Sequence, residues 1–529
     1  MSDPAVESSA LFHPQPRAIV VRDLVERARR RLTEAPAEAL QATLEDTLYQ
    51  ERKRLERSEP DAHAAEHDRL DRLARALVRD DRHAWTEIAL EIVAGWGDEI
   101  HGKFDPRVYR FATNALPRAL TGLLSAKPPR LRDWDLSPDR RVKVAGDLAL
   151  LRTLSREATL ILAPTHVSNL DSPLIGLALH QAGLPPFVYG AGLNLFSNPV
   201  MGWFMSRLGA YTVDRTKRAN LYKDALKDYS VRCLSTRHHS LFFPGGTRSR
   251  SGHVEQHPKK GLLGTGLAAW QEMLTAGRPD PEVYVVPLTL SCQLVLEAST
   301  LIDDYLAEVG KQRYIITDDE FAKPRVVASF MRRVLDLDAS VVAHFGAPID
   351  VVGNPVSADP AERAAQAQRR RRYVCDAAGK VETDPQRDHL YTERLAESLV
   401  AAWPRGAHIM ATHLAAWVGW RSLELSTGTT DPFRLVRVPP EARRIPRERF
   451  VERLSIALRN VVEGARAGRW TCDLPPSPDV VLETALDRFS RFHETRALRA
   501  EADHLVVDDP KLCLYYRNRL TFVPFEVHA

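Results

Sequence analysis

The sequence predicts an α/β protein, a mostly parallel sheet flanked by helices, with helical regions at both ends. Three observations carry that prediction. Short, largely apolar runs of strand length occur at Thr159-Leu-Ile-Leu-Ala163, Ser240-Leu-Phe-Phe243, Val283-Tyr-Val-Val-Pro-Leu-Thr-Leu290 and Val341-Val-Ala-His-Phe345. Runs without polar alternation are what strands covered on both faces require. Helical stretches separate them, and outside them the apolar spacing is helical alone. The expected organisation is a helical region over residues 1–135, an α/β domain over 136–355 and a mainly helical region over 356–529.

From about Val20 to Gly97, apolar residues recur at helical spacing, as in Leu40-Gln-Ala-Thr-Leu-Glu-Asp-Thr-Leu48 and Leu70-Asp-Arg-Leu-Ala-Arg-Ala-Leu-Val78, which predicts a helical bundle. Phe104 to Leu124 mixes arginines with aromatic and aliphatic residues, a composition that suits either a membrane interface or a helix packed on the next domain. Pro128-Pro-Arg130 reads as a linker. After the strands, Arg369-Arg-Arg-Arg372 reads as a solvated face or loop, or as a contact for anionic headgroups, and Leu390 to Val400 is helical again.

Composition excludes several classes. With 44% hydrophobic residues in 529, disorder is not expected. The 73 basic and 69 acidic residues nearly cancel to +4, so the overall charge points to no nucleic acid. Five scattered cysteines without a CxxC fit a reducing compartment. The first residues lack the basic and apolar regions of a signal peptide, and no apolar run approaches the ~20 residues that cross a bilayer. The expectation is a cytoplasmic protein whose membrane contact, if any, is interfacial.

Four blocks carry chemistry. His166-Val-Ser-Asn-Leu-Asp171 follows the first strand of the α/β region. A histidine can take a proton from an alcohol, and a carboxylate on its other nitrogen fixes the tautomer. Residues five apart on a helix diverge by roughly 140°, so this pair meets only across a turn. Asp171-Ser-Pro173 also reads as a helix start with a capping side chain. The second block, Gly209-Ala-Tyr-Thr-Val-Asp-Arg215, ends on an arginine suited to an anion or to a surface ion pair. It follows the aromatic segment Phe196 to Met205.

The third block, Phe242-Phe-Pro-Gly-Gly-Thr-Arg-Ser-Arg-Ser-Gly252, runs from a strand into a glycine-rich loop. Gly245 and Gly246 let backbone N–H groups approach an anion, Arg248 can grip it with two donors, and Pro258-Lys259 adds charge. A flexible turn is the alternative, and no Walker lysine is present. The fourth block, Val285-Val-Pro-Leu-Thr-Leu290, places a proline in a strand, which predicts an edge or a bulge.

In order and spacing the four blocks resemble the glycerolipid acyltransferases, over roughly Arg140 to Asp350. His166 and Asp171 match the H-x4-D block, Gly209 to Arg215 approximate G-x-x-F-[IV]-x-R, Pro244 to Ser249 match P-E-G-x-R-S, and Val286-Pro287 match V-P. Two departures are Gly245 in the place of the glutamate and Thr212 in the place of the phenylalanine. The continuation Arg248-Ser-Arg-Ser-Gly252 with Pro258-Lys259, and the late Leu514-Tyr-Tyr-Arg-Asn518, resemble the large glycerol-3-phosphate acyltransferases.

That resemblance implies transfer of a fatty acyl group from acyl-CoA or acyl carrier protein to the sn-1 hydroxyl of glycerol 3-phosphate, in phospholipid synthesis. It implies His166 as base, Asp171 as its orienting partner, and Arg215, Gly246, Thr247, Arg248, Ser249, Arg250 and Lys259 around the acceptor phosphate. It implies no cofactor and no metal, and peripheral contact with the inner face of the cell membrane. The rival acceptor is lysophosphatidate; the rival class is a catalytically silent lipid-binding protein on the same fold.

Other chemistries fit less well. His253-Val-Glu-Gln-His257 is not H-E-x-x-H and runs into Pro258, Gly264-Thr-Gly-Leu-Ala-Ala269 lacks a preceding strand for dinucleotide binding, and no GxSxG occurs.

Overall fold

In a computed structural model of the chain, the described residues are 16–56, 63–112, 142–193, 199–279, 281–310 and 341–525. The linker at Pro128, the second half of the Phe104 to Leu124 segment and residues 196–198 fall outside them.

Among the described residues four helices come first: α1 (Arg17–Glu34), α2 (Ala37–Leu55), α3 (Ala64–Val78) and α4 (Arg82–Ile100). The apolar spacing explains their packing, since Val20, Leu24, Ala28 and Leu32 form one buried stripe on α1. Asp81 caps α4 by accepting the Ala84 N–H at 3.0 Å. The bundle's core continues into Tyr222, Ala225 and Tyr229 of the following region.

The α/β elements follow as β1 (Val142–Ala145), α5 (Leu148–Glu157), β2 (Thr159–Pro164), α6 (Asp171–Gln181), β3 (Val188–Gly192), β4 (Ala210–Val213), α7 (Asn220–Ser235), β5 (Ser240–Leu241), α8 (Thr265–Thr275), β6 (Val283–Cys292), α9 (Ala298–Val309), β7 (Val341–Phe345) and β8 (Ile349–Asp350). They build an eight-stranded sheet in the order β1-β7-β6-β2-β5-β3-β4, with β8 also on β6. Strands β6, β2, β5, β3 and β4 run parallel, while β7 runs against β6. The sheet is therefore mostly parallel, as expected.

Alternate residues of β2 feed separate cores: Leu160 and Leu162 on one face, Ile161 and Ala163 on the other. Both faces are covered, which is why the strand carries no polar alternation. Parallel alignment also brings the C-terminal ends of β2, β3, β4, β5 and β6 to one edge of the sheet, where ligands of such folds bind. His166, Arg215, the Gly245 loop and the residues after Cys292 all leave from that edge.

Two expectations are corrected. Pro287 does not mark an edge or a bulge: it lies in β6, paired with Ala163 of β2 inside the sheet. Its carbonyl accepts the Gly346 N–H at 2.8 Å, so its nitrogen faces the break between β7 and β8, where no ladder donor is needed. The arginine run is not uniformly solvated either. It ends the helix Pro360–Arg371, and Arg370 turns inward to bond Asp350 at 2.9 Å and to pair with Glu282, over the rings of Trp270 and Tyr284. Burial pushes its guanidinium down to about 10.

The C-terminal region comprises α10 (Pro385–Gly406), α11 (Ala411–Thr427), α12 (Arg447–Arg466), α13 (Pro478–Phe489) and α14 (Pro510–Asn518), with a small antiparallel sheet among them. It shares a core with the large sheet: Leu414, Leu454 and Tyr516 cluster with Leu160 and Leu288. On the other face Trp403 of α10 donates to the Ala163 carbonyl at 3.0 Å.

Burial pushes the imidazoles of His239 and His413 down to about 3 and that of His493 to about 4. His239 Nδ1 accepts the Leu160 N–H at 2.9 Å, an arrangement that protonation would break. Folded values below the ordinary 6.5 mean that the unfolded chain binds more protons as pH falls from there, so stability drops. Each such histidine contributes up to about 1.4 kcal/mol per pH unit. Replacing His493 by glutamine is expected to shallow the fall in urea midpoint between pH 6.5 and 5; an unchanged slope would refute it.

Candidate active site

β2 delivers Thr165 and His166 at the sheet edge, and the chain turns through 169–170 into α6. Asp171 is the first residue of that helix, yet it does not cap it, because no side chain does. Its fully buried carboxylate turns back instead. Oδ2 accepts the Val167 N–H at 2.6 Å and the Ser168 N–H at 3.0 Å, and lies 2.8 Å from His166 Nδ1. The turn required by the five-residue spacing is present.

With Nδ1 held by Asp171, Nε2 is the nitrogen left for a substrate proton, and the tautomer is fixed. The imidazole, with 15% of its side chain exposed, stacks on Phe243 at 4.0 Å between centroids and 23° between planes. Phe243 begins the glycine-rich loop. The Ser249 N–H donates to the His166 carbonyl at 2.8 Å, so loop and dyad are tied at two points.

Inside the loop, Gly246 has φ +74°, a conformation that favours glycine. A Cβ there would stand 2.7 Å from Lys259 Nζ, whose ammonium therefore lies directly on the loop backbone. Gly245 is not left-handed, but a Cβ on it would stand 2.1 Å from Glu255 Oε2. The carboxylate of Glu255, held by the His257 N–H at 2.7 Å, fills the space a side chain at 245 would take. Introducing Gly245→Glu is expected to cost about 1 kcal/mol, since Glu255 must swing away and give up that bond. A Glu255→Ala background should remove the cost in thermal melts; an equal loss in both backgrounds would contradict this packing.

The remaining residues expected here divide. Arg248 bonds Glu297 Oε1 through Nη1 at 3.2 Å, and Arg250 reaches out to Glu308 on α9 at 2.8 Å. Thr247 and Lys259 are exposed on the loop, and Arg215 is exposed just past β4. His253 to His257 lie in an irregular segment rather than a helix, and no group of three or more metal-ligating side chains occurs among the described residues.

Glu297 was not anticipated. It is fully buried and accepts from Ser168 Oγ at 2.7 Å, from the Asn169 N–H at 3.0 Å and from Arg248. Burial pushes its carboxyl up from the ordinary value, against the opposing pull of Ser168, Asn169 and Arg248. Glu297 thus joins the loop that carries His166 to the arginine of the glycine-rich loop. The one sequence signal is an acid inside the apolar run Leu294-Val-Leu-Glu-Ala298.

The arrangement can deprotonate a hydroxyl next to a basic, glycine-lined loop. Residues 144–291 match the Acyltransferase family. A protein of Xylella fastidiosa (strain M12) named glycerol-3-phosphate acyltransferase is 27% identical over 192 residues, 36% of this chain and 20% of that protein. One of the same name from Pasteurella multocida (strain Pm70) is 33% identical over 142 residues, 27% of this chain and 17% of that protein. The matched stretch thus spans about a fifth or less of the relatives' length. Among solved structures, the 1-acyl-sn-glycerophosphate (LPA) acyltransferase of Thermotoga maritima is 16% identical, with a TM-score of 0.24 over 56% of this chain and 84% of that one.

Proposed function

From the acyltransferase-family domain at residues 144–291, we propose that this chain moves a fatty acyl group from an acyl thioester to the sn-1 hydroxyl of glycerol 3-phosphate. One observation carries the mechanism: His166 Nδ1 and Asp171 Oδ2 stand 2.8 Å apart beside the glycine-rich loop. His166 Nε2 takes the hydroxyl proton as the oxygen attacks the thioester carbonyl. The tetrahedral intermediate collapses by breaking the C–S bond, and the departing thiolate takes the proton from the imidazolium. Asp171 holds the ring and stabilises its charge, so no acyl-enzyme is needed.

The acceptor phosphate would meet Arg248, the Thr247 N–H beside Gly246 and the ammonium of Lys259, with Ser249 bracing the loop on the His166 carbonyl and Arg215 and Arg250 at the periphery. Fixing the phosphate places the hydroxyl beside the base and lowers the entropic barrier. Glycerol 3-phosphate is favoured over lysophosphatidate because the relatives cited above carry that name. The donor's carrier is acyl-CoA or acyl carrier protein.

Both donor and product are amphiphiles, and among the described residues no helix is long and apolar enough to cross a membrane. Peripheral contact is the reading that fits, and the exposed Phe111 and Trp203 offer apolar groups for it, with Arg207 lying 4.2 Å over the Trp203 ring. A single panel tests all of this: purified protein with anionic vesicles, acyl-CoA or acyl carrier protein, and glycerol 3-phosphate or lysophosphatidate. The expected result is vesicle binding and 1-acylglycerol 3-phosphate as product. Acylation of lysophosphatidate alone would reassign the acceptor, and donor binding without thiol release would favour a silent lipid-binding protein.

A further inference from the structure

The sequence resemblance at Leu514 to Asn518 has no role in the chemistry above, and these residues lie more than two hundred positions after the glycine-rich loop. The fold brings them together. Tyr515, Tyr516, Asn518 and Arg519 are all buried, at the end of α14 and just beyond it.

Each makes a specific contact with the site's supports. Asn518 Nδ2 donates to the Ser251 carbonyl at 2.8 Å. Arg519 spans two segments, giving Nη1 to the Gly252 carbonyl at 3.3 Å and Nη2 to the Leu290 carbonyl at 2.9 Å. Gly252, with φ +85°, has no room for a side chain, since a Cβ would stand 2.3 Å from the Tyr515 carbonyl. Tyr516 accepts the Val295 N–H at 3.1 Å, two residues before Glu297.

Both carbonyls held by Arg519 lead to His166. Leu290, whose N–H donates to Thr165 Oγ1 at 3.2 Å, supports the residue before the histidine. Gly252 ends the loop whose Ser249 N–H holds the histidine's own carbonyl. One planar guanidinium therefore fixes the distance between β6, which braces Thr165 beside the base, and the loop that would carry the phosphate, a task suited to its rigid fork of donors.

We propose that Asn518 and Arg519 are positioning residues of the acyl-acceptor site, which makes the end of the C-terminal helix part of the catalytic centre. The proposal rests on the acyl-transfer reading for its kinetic consequence, and on the contacts alone for its structural one. Losing the tether lets the loop shift relative to His166. Acceptor binding then suffers, while the acyl donor, which needs no phosphate grip from this loop, is spared.

The test uses the full chain carrying Asn518→Asp, which turns the donor facing Ser251 into an acceptor, and Arg519→Lys, which keeps the charge but cannot span both carbonyls. Both variants are expected to raise the KM for glycerol 3-phosphate about five- to tenfold, the effect of one such bond, with the KM for acyl-CoA within about twofold. Amide hydrogen exchange over residues 244–253 should accelerate in the absence of substrate, and by more than that of α14, while the thermal midpoint falls further for Asn518→Asp, which sets a buried carboxylate against a carbonyl, than for Arg519→Lys.

Asn518→Ser, which keeps a donor, should recover part of the loss. Equal rises in both KM values, or wild-type exchange in the loop of a folded variant, would overturn the proposal. If wild-type protein acylates neither glycerol 3-phosphate nor lysophosphatidate while the exchange result holds, the acyl-transfer reading fails and the tether stands. If Asn518→Asp does not fold, Arg519→Lys gives the same two readouts.

Discussion

Replacing His166 by alanine is expected to lower turnover about 10²- to 10⁴-fold and to leave the fold in place, the range for loss of a positioned general base. The imidazole is partly exposed at a sheet edge, and its loss strands no buried group: Asp171 Oδ2 keeps the N–H groups of Val167 and Ser168. What disappears with the ring is an imidazole set beside the glycine-rich loop with its tautomer fixed by a carboxylate, together with its stacking on Phe243. Thiol release at saturating acyl-CoA and glycerol 3-phosphate reads the first effect, and a thermal melt reads the second. Wild-type turnover would remove His166 from the chemistry; a large drop in melting temperature would make the histidine structural instead.

The second large effect falls on stability. Glu297→Ala is expected to destabilise the fold by about 2–4 kcal/mol, the cost of taking the acceptor from buried donors, about 1–3 kcal/mol for each group left unpaired. The change deprives Ser168, the Asn169 N–H and Arg248 of a fully buried carboxylate at once, and so loosens both the dyad loop and the glycine-rich loop. Glu297→Gln keeps a carbonyl for Ser168 and is expected to cost less.

Its pH signature is distinct as well. Burial raises the folded pKa of Glu297 above the ordinary 4.5, so its contribution to stability is full below that value and is lost as pH rises through the folded one. Glutamine cannot titrate, so the variant should lack that decline. Urea midpoints across this range for wild type and both variants check the claim, and a Glu297→Ala midpoint equal to wild type would contradict it.

These expectations separate what a linear reading can reach from what it cannot. The strands at Thr159 and Val341 were legible because continuous apolar runs of that length have few other uses. The His166 to Asp171 pair was legible because the spacing admits only a turn, and the turn is there. The sequence offers Asp171 two roles, and the hydrogen bonds it accepts from the Val167 and Ser168 N–H groups make it a loop clamp rather than a helix cap.

Glu297 was invisible for a physical reason. A carboxylate is tolerated in an apolar run when donors converge on it, and those donors come from positions 168, 169 and 248, which only the fold assembles. Pro287 misled for a similar reason, because whether a strand needs its N–H depends on a neighbour distant in sequence. Arg370 shows the same limit: four consecutive arginines read as a surface, and one of them finds Asp350 and Glu282 inside. Gly245 departs from the resembling motif, yet Glu255, three residues past the end of the loop, puts a carboxylate over it.

The central claim is that His166 and Asp171 act as one unit in acyl transfer, and a double-mutant cycle addresses it most directly. Turnover of glycerol 3-phosphate with acyl-CoA would be measured for wild type, His166→Ala, Asp171→Asn and the double variant. If the carboxylate works only through the imidazole, Asp171→Asn alone is costly but adds nothing once His166 is gone, so the double variant equals His166→Ala within about twofold. Losses that multiply instead, or a His166→Ala enzyme that turns over like wild type, would contradict the account.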